Sequence, residues 1–304
     1  VIAEHALEWR PRHPTDLLQT VGSLRRGPGD PAFLVDAGAV WRTTRTATGP
    51  ATIRLTQLAP DVLRAQAWGA GAALAVAQAP ELCGDRDDPA PFDPLIDPLR
   101  DAHRRNPGLR IPRTAAVFEA LVPAILEQKV ITLQAHASWR WLLQRYGTDA
   151  PGPVPRPMKV VPTPAEWARI PSWEWHRAGV DPRRSRTIVE AARFADRIDE
   201  ASALSPEQAA ARLTLFPGIG AWTAAEVAQR ALGDADAVSV GDYHLAKQVG
   251  HALAGRDMTD DEMLAALEPW AGQRYRVVRL LGSAGGLRRP RRGPKLPFVD
   301  HRAR

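Results

Sequence analysis

A single cysteine, Cys83, stands in a chain of 304 residues. No disulfide can close within the chain, and no zinc or iron–sulfur site of several cysteines can form. Long apolar runs are absent too. No stretch reads as a bilayer-spanning helix or a signal peptide. The expectation is a reducing cytoplasm, with no membrane partner. His136 and His244 have no companions at metal-ligand spacing, so neither is expected to be a ligand. No Walker loop occurs, because Gly-Lys-Ser/Thr is missing. Lysine is scarce, so arginine supplies most of the positive charge behind a formal net charge of +6. That balance suits an anionic partner.

What is present divides along the chain. Residues 1–82 carry strand-like stretches, "LEWRP", "AFLVDAGAVWRTTRT" and "ATIRLTQL", broken by Gly-Pro-Gly and Thr-Gly-Pro turns. A helix is expected from Asp61 to Ala77. "CGDRDDPAPFDP" reads as a linker. From Leu95 onward the apolar spacing is helical, as at Val117, Leu121, Ile125 and Ile131, then Trp139, Leu142 and Leu143. Thr114 is expected to cap that stretch and Gly147 to end it. Further helices are expected at Pro164–Ile170, Asp181–Ile198, Ser205–Leu213, Thr223–Leu232, Tyr243–Ala252 and Thr259–Leu267. The basic end, "GLRRPRRGPKLPFVDHRAR", reads as a mobile tail.

"LFPGIGAWTAAEVAQRAL", Leu215–Leu232, places a Gly-Ile-Gly turn at the mouth of a helix. A dinucleotide loop would follow a strand and show a third spaced glycine; this stretch does neither. Two readings remain open. The glycines serve a plain helix connection, or bare amides at the helix entrance grip a phosphate without reading a base.

"LFPGIGAWTA" followed by "VSVGDYHLAK" resembles the helix-hairpin-helix DNA glycosylases, and within them the 3-methyladenine DNA glycosylase II type. "RIPRTAAVFEALVPAILEQKV" and "GVDPRRSRTIVEAA" resemble the same family, so the likeness runs roughly from Pro107 to Trp270. It implies an α+β fold. A small TATA-binding-protein-like β-rich domain would fill residues 1–85. An all-helical core of two subdomains would fill 86–286, and a basic tail 287–304.

The resemblance further implies base excision from duplex DNA containing damaged bases, with alkylated purines foremost, by a monomer in the cytoplasm associated with the nucleoid. Asp242 matches the family's catalytic aspartate; an Asp there is also a natural helix cap. Trp222 stands where bifunctional relatives carry an imine-forming lysine, which implies a monofunctional enzyme. Trp222 and Tyr243 either line the base pocket or pack. Glu226 falls at an aromatic pocket position of the family, and its alternative role is an exposed pair with Arg230 worth a few tenths of a kcal/mol. Gln128 and Lys129 fall where the family probes the gap left by a flipped nucleotide; a solvated turn is the alternative. Gly218, Gly220, Ala221 and Thr223 would hold the phosphate. Carbonyls of Thr214, Phe216 and Ile219 would hold a monovalent cation, Na+ or K+, and no other cofactor is implied. Arg183, Arg184 and Arg186 are further candidates for phosphate contact. Two other functions remain open: a non-catalytic damage-binding protein, or a glycosylase for a deaminated base or bulky adduct.

Overall fold

The computed structural model describes residues 4–283, together with 285 and 287. Residues 288–304, nearly all of the expected basic tail, lie outside the described residues. The N-terminal part is an antiparallel sheet of β1 (His5–Trp9), β2 (Phe33–Asp36), β3 (Ala39–Thr46), β4 (Gly49–Ala59) and β5 (Val62–Trp68), in the order β1-β5-β4-β3-β2. The β2–β3 turn, Ala37-Gly38, has φ of +46° and +75°. A two-residue hairpin turn of type I′ demands positive φ at both positions. Helices α1 (Leu17–Val21) and α2 (Ala72–Leu82) bury one face of the sheet through Phe33, Ile53, Leu55 and Leu63. The other face stacks Trp41 on Trp68 beside Met158.

The helix expected from Asp61 to Ala77 is not formed. Its first half is β5, and the helix begins only at Ala72. Ala and Gln favour helix, yet Leu63, Ala65 and Ala67 alternate with the less buried Val62, Arg64 and Gln66. That period-two pattern suits a strand paired on both sides, and tertiary pairing overrides propensity.

The rest is helical apart from one short pair of strands, β6 (Thr148–Asp149) and β7 (Lys159–Val160), so it is not all-helical. The helices are α3 (Asp97–Arg105), α4 (Val117–Leu126), α5 (Thr132–Tyr146), α6 (Pro164–Arg169), α7 (Ser172–Arg177), α8 (Pro182–Arg193) and α9 (Ala195–Asp199). They continue with α10 (Pro206–Thr214), α11 (Ala221–Val227), α12 (Leu245–Ala254), α13 (Asp260–Leu267) and α14 (Arg274–Ser283). The apolar side chains form two clusters. One gathers α4 with its neighbours up to α11, and the other gathers α3 with α12, α13 and α14.

Helix α4 is buried on almost every side, the pattern of a central core helix. Its open ends are satisfied from far along the chain. Asp199 accepts from the Phe118 amide at 2.8 Å, and the Arg184 guanidinium donates to the Leu126 carbonyl. Thr114 does not cap α4; its hydroxyl accepts from the Ala116 amide outside the helix. Gly147 does end α5, and Asp181 and Ser205 do cap α8 and α10. The stretch expected as one helix from Asp181 to Ile198 breaks at Phe194. The linker is not free, because buried Asp87 pairs with Arg276 of α14 and accepts from the Ile111 amide.

Candidate functional site

Pro206 to Thr214 and Ala221 to Val227 form the two helices of a hairpin, joined through Phe216, Pro217, Gly218, Ile219 and Gly220. The two glycines differ in kind. Gly218 has φ +89°, and a Cβ there would lie 2.5 Å from the Thr187 hydroxyl of α8. The fold itself therefore demands glycine. Gly220 has φ −102° and ψ −177°, open to any residue, and a Cβ there would meet nothing within 4 Å. Gly220 leaves empty space before the helix entrance. The amides of Gly220, Ala221 and Trp222 donate to no protein acceptor among the described residues. Past Val227 the helix continues as a π turn, Ala228–Leu232, ended by Gly233 at φ +73°.

Gln128 lies in the turn between α4 and α5. Its amide donates to the Gly218 carbonyl and to the Thr223 hydroxyl, each at 2.9 Å. Gln128 and Thr223 are thus engaged with the hairpin itself. Thr223 is buried, so its hydroxyl does not face solvent. Lys129 next to it is exposed and holds φ +54°, a left-handed backbone rare outside glycine. Of the three arginines of α8, Arg183 and Arg186 are exposed, but Arg184 is buried. It pairs with Asp181 and holds the Leu126 and Gly179 carbonyls, so it cannot reach a phosphate. Phe216 gives its carbonyl to the Ile219 amide at 3.0 Å, while those of Thr214 and Ile219 accept no hydrogen bond among the described residues.

Asp242 stands at the end of a tight turn. Its amide donates to the Ser239 carbonyl, and Gly241 at the third position has φ +87°. A type II turn requires that positive φ. Oδ1 of Asp242 accepts from the amides of His244 and Leu245, each at 2.8 Å, which tethers it to the start of α12; the cap position itself is His244, so Asp242 is not the helix cap expected. Oδ2 accepts nothing among the described residues. The helix starts at Leu245, two residues later than expected. Tyr243 is 67% exposed, edge-on to His244 and under the Lys247 ammonium, 5.0 Å from the ring centre. It faces solvent and lines no closed pocket. Trp222 is half-buried at the start of α11. A groove of about 480 Å³ lies between the β3–β4 hairpin and helices α2, α4 and α6, and none of the expected site residues lines it.

Glu226 and Arg230 are paired at 2.8 Å, but the pair is largely buried rather than exposed. The distinction changes its weight: breaking a buried pair costs about 3–5 kcal/mol, not tenths. Oε2 of Glu226 takes Arg230 and Oε1 takes the Ser239 hydroxyl at 2.6 Å. Both carboxylate oxygens are engaged, so Glu226 is not an open wall of a base pocket. Burial works against the Arg230 charge, yet Glu226, Tyr275 and Glu127 hold its pKa above the ordinary value. Arg26, from the segment between α1 and β2, pairs with Glu127 at 3.0 Å, beside His136. Burial alone would raise the Glu127 pKa; Arg26, His136 and Arg230 hold it down at about 2. Sequence spacing does not reveal this network, nor the parts of Gln229, Ser239 and Asp260 around the Asp242 turn. Only the capping box of Thr259 and Glu262, which marks the first turn of α13, hints at where Asp260 stands.

No protein-family model matches the chain. Over 195 residues it is 32% identical to the probable bifunctional transcriptional activator/DNA repair enzyme AlkA of Mycobacterium tuberculosis. That match takes in 61% of this chain and 38% of the relative, so the chain spans well under half the length of the curated relative. Among solved structures, 3-methyladenine DNA-glycosylase from Archaeoglobus fulgidus is similar with a TM-score of 0.78 at 18% identity, covering 92% of this chain and 98% of that one. The Clostridium acetobutylicum 8-oxoguanine glycosylase/lyase, solved with DNA containing cytosine opposite 8-oxoG, gives 0.70 at 11% identity, over 93% and 98%. At such identities the structural likeness establishes a shared fold. The chain thus shares the fold of these solved DNA glycosylases and a stretch of sequence with the AlkA relative.

Proposed function

We propose that this chain is a monofunctional DNA glycosylase that excises damaged bases, alkylated purines foremost, from duplex DNA and leaves an abasic site. The observation that carries the proposal is the pairing of a hairpin with bare amides and an aspartate with one free carboxylate oxygen. The amides of Gly220, Ala221 and Trp222 take a phosphate at the positive end of the helix dipole. The flipped nucleotide then leaves the stack. As the bond from C1′ to the base nitrogen breaks, its electron pair leaves with the base and positive charge builds on the sugar. Oδ2 of Asp242 stabilises that charge and orients the water that attacks C1′. Trp222 stacks on the flipped base and, having no amine, forms no imine with the sugar. Lys129, exposed on a strained turn, faces the gap left in the duplex.

The same proposal assigns residues 1–85 to a TATA-binding-protein-like domain and 86–286 to a helical core of two subdomains, working as a monomer. The carbonyls of Thr214 and Ile219, open to a ligand, and that of Phe216 suit a hard monovalent cation by donor type. No step of the reaction is routed through it. The test is excision across a panel of duplexes, each with one alkylated, deaminated, oxidised or bulky lesion. Release of alkylated purines, with no borohydride-trapped complex, is expected. Tight binding to lesions without release of any base contradicts the enzymatic reading and favours a damage-binding protein.

A further inference from the structure

The turn that carries Asp242 is held from two sides by side chains of α11, the π turn and α13. On one side, the Ser239 hydroxyl donates to Oε1 of Glu226 at 2.6 Å and accepts from the Gln229 amide at 2.9 Å. The same Gln229 amide also reaches the Ala237 carbonyl at 2.9 Å. On the other side, the Gly241 amide donates to Oδ2 of Asp260 in α13 at 3.1 Å. Between these anchors the Asp242 amide closes the turn on the Ser239 carbonyl. Ser239 and Gln229 are buried, and the Glu226 carboxylate is nearly so. The Ser239 side of the set is thus poorly solvated, where a hydrogen bond fixes position more firmly than at the surface, whereas the Gly241–Asp260 contact is exposed.

Glu226 is itself immobilised. Arg230 holds its second oxygen at 2.8 Å, and the Arg230 side chain also donates to the Glu226 carbonyl at 2.9 Å. The Arg230 carbonyl in turn accepts the Thr114 amide at 3.0 Å, which ties the π turn to the entrance of α4. A π turn inside a helix often marks a functional site. Here it carries Gln229 and Arg230, the residues on either hand of the contact with Ser239.

We infer that Glu226 is a positioning residue: through the Ser239 hydroxyl it sets where the turn 239–242 places the Asp242 carboxylate against the sugar. The inference rests on the reading of Asp242 as the group that stabilises the sugar cation. Glu226 acts at one remove and touches no substrate. A shift of the carboxylate by a fraction of an ångström weakens its hold on a charge developing at one ring carbon and leaves the phosphate grip of the hairpin intact.

The test uses binding to two duplexes that mimic the site after the base has gone. One holds a neutral tetrahydrofuran abasic nucleotide; the other holds a pyrrolidine nucleotide that is cationic in the ring. The ratio of the two affinities reads how well a carboxylate meets a positive sugar. Wild type is expected to prefer the cationic duplex, and Asp242→Asn to lose the preference. Ser239→Ala, which deletes one hydroxyl, is expected to reduce the preference by about tenfold. Its affinity for the neutral duplex should stay as in wild type, while its melting temperature falls by a few degrees, because Oε1 of Glu226 and the Gln229 amide lose a buried partner. Adding Ser239→Ala to Asp242→Asn should change the ratio no further. Glu226→Ala is expected to act in the same direction, but it strands the buried Arg230, so Ser239→Ala is the deciding variant.

A wild-type ratio in Ser239→Ala overturns the inference and leaves the glycosylase proposal standing. Equal weakening on both duplexes also overturns it, since the contact then serves folding or general binding. A preference that survives Asp242→Asn sinks the reading of Asp242, and the inference falls with it.

Discussion

At the residue scale, Gly218 and Gly220 stand two positions apart and answer to different demands. A methyl group at Gly218 meets the Thr187 hydroxyl and forces an L side chain to φ +89°. Gly218→Ala is expected to cost about 1–3 kcal/mol of stability, read by urea unfolding. Gly220 has neither constraint in the free protein. Gly220→Val is expected to fold with a near wild-type midpoint and to bind duplex DNA at least about tenfold more weakly, because backbone can no longer approach phosphate. A folded Gly220→Val that binds DNA as wild type does would make the hairpin a plain helix connection. Both glycines stand in one sequence motif, and only the position of Thr187 on α8 separates their roles.

At the scale of elements, α8 packs Thr187 onto the hairpin, and Arg183 stands one turn earlier on the same face, exposed. If the hairpin takes a phosphate as proposed, Arg183 offers a second contact from α8. Binding should weaken steeply with salt, and Arg183→Ala should reduce the log–log slope by about 0.9, on damaged and intact duplexes alike. An unchanged slope would remove Arg183 from the interface. Arg184, its neighbour in sequence, answers instead to the carbonyl end of α4. Charge alone could not separate the two, because both are arginines in one basic run, and burial is decided by the partner helix. The same limit governs the strands. The segment 61–77 offers helix-forming residues, and only its pairing with β1 and β4 makes Val62–Trp68 a strand. Where a local signal has a local cause the sequence is readable, as at the caps Asp181 and Ser205, the stop at Gly147 and the turn glycines. The cap of α4 was not readable, since Asp199 reaches Phe118 from 81 residues away.

At the scale of the whole molecule, two groups of charges, Arg26 with Glu127 and His136, and Arg230 with Glu226, lie close enough for Arg230 to act on Glu127 between the segment after α1 and the hairpin. Glu127 has a folded pKa of about 2 against an ordinary 4.5. Its contribution to stability is full above about pH 4.5 and is lost as pH falls through about 2. That gap is of order 3 kcal/mol. Stability of the wild type should fall across this window, and Glu127→Gln should lack that part of the slope, the two curves meeting near pH 2. Parallel curves would mean that the pair is not formed. Asp242 and its hairpin were legible because each is a short motif with its chemistry on the backbone or in one carboxylate. The supports of Asp242, Ser239 with Glu226, Gln229 and Asp260, were not, since none forms a motif and each pairs with a residue 10 to 19 positions away at no fixed spacing. The central claim is that the Asp242 carboxylate stabilises the sugar cation, and Asp242→Asn tests it most directly. Asn keeps the volume and the oxygen that takes the His244 and Leu245 amides, so α12 should stay formed. Single-turnover excision of a lesion that the wild type cleaves should fall by about 10²-fold or more, with DNA affinity equal or tighter. Excision by Asp242→Asn at the wild-type rate would contradict the account.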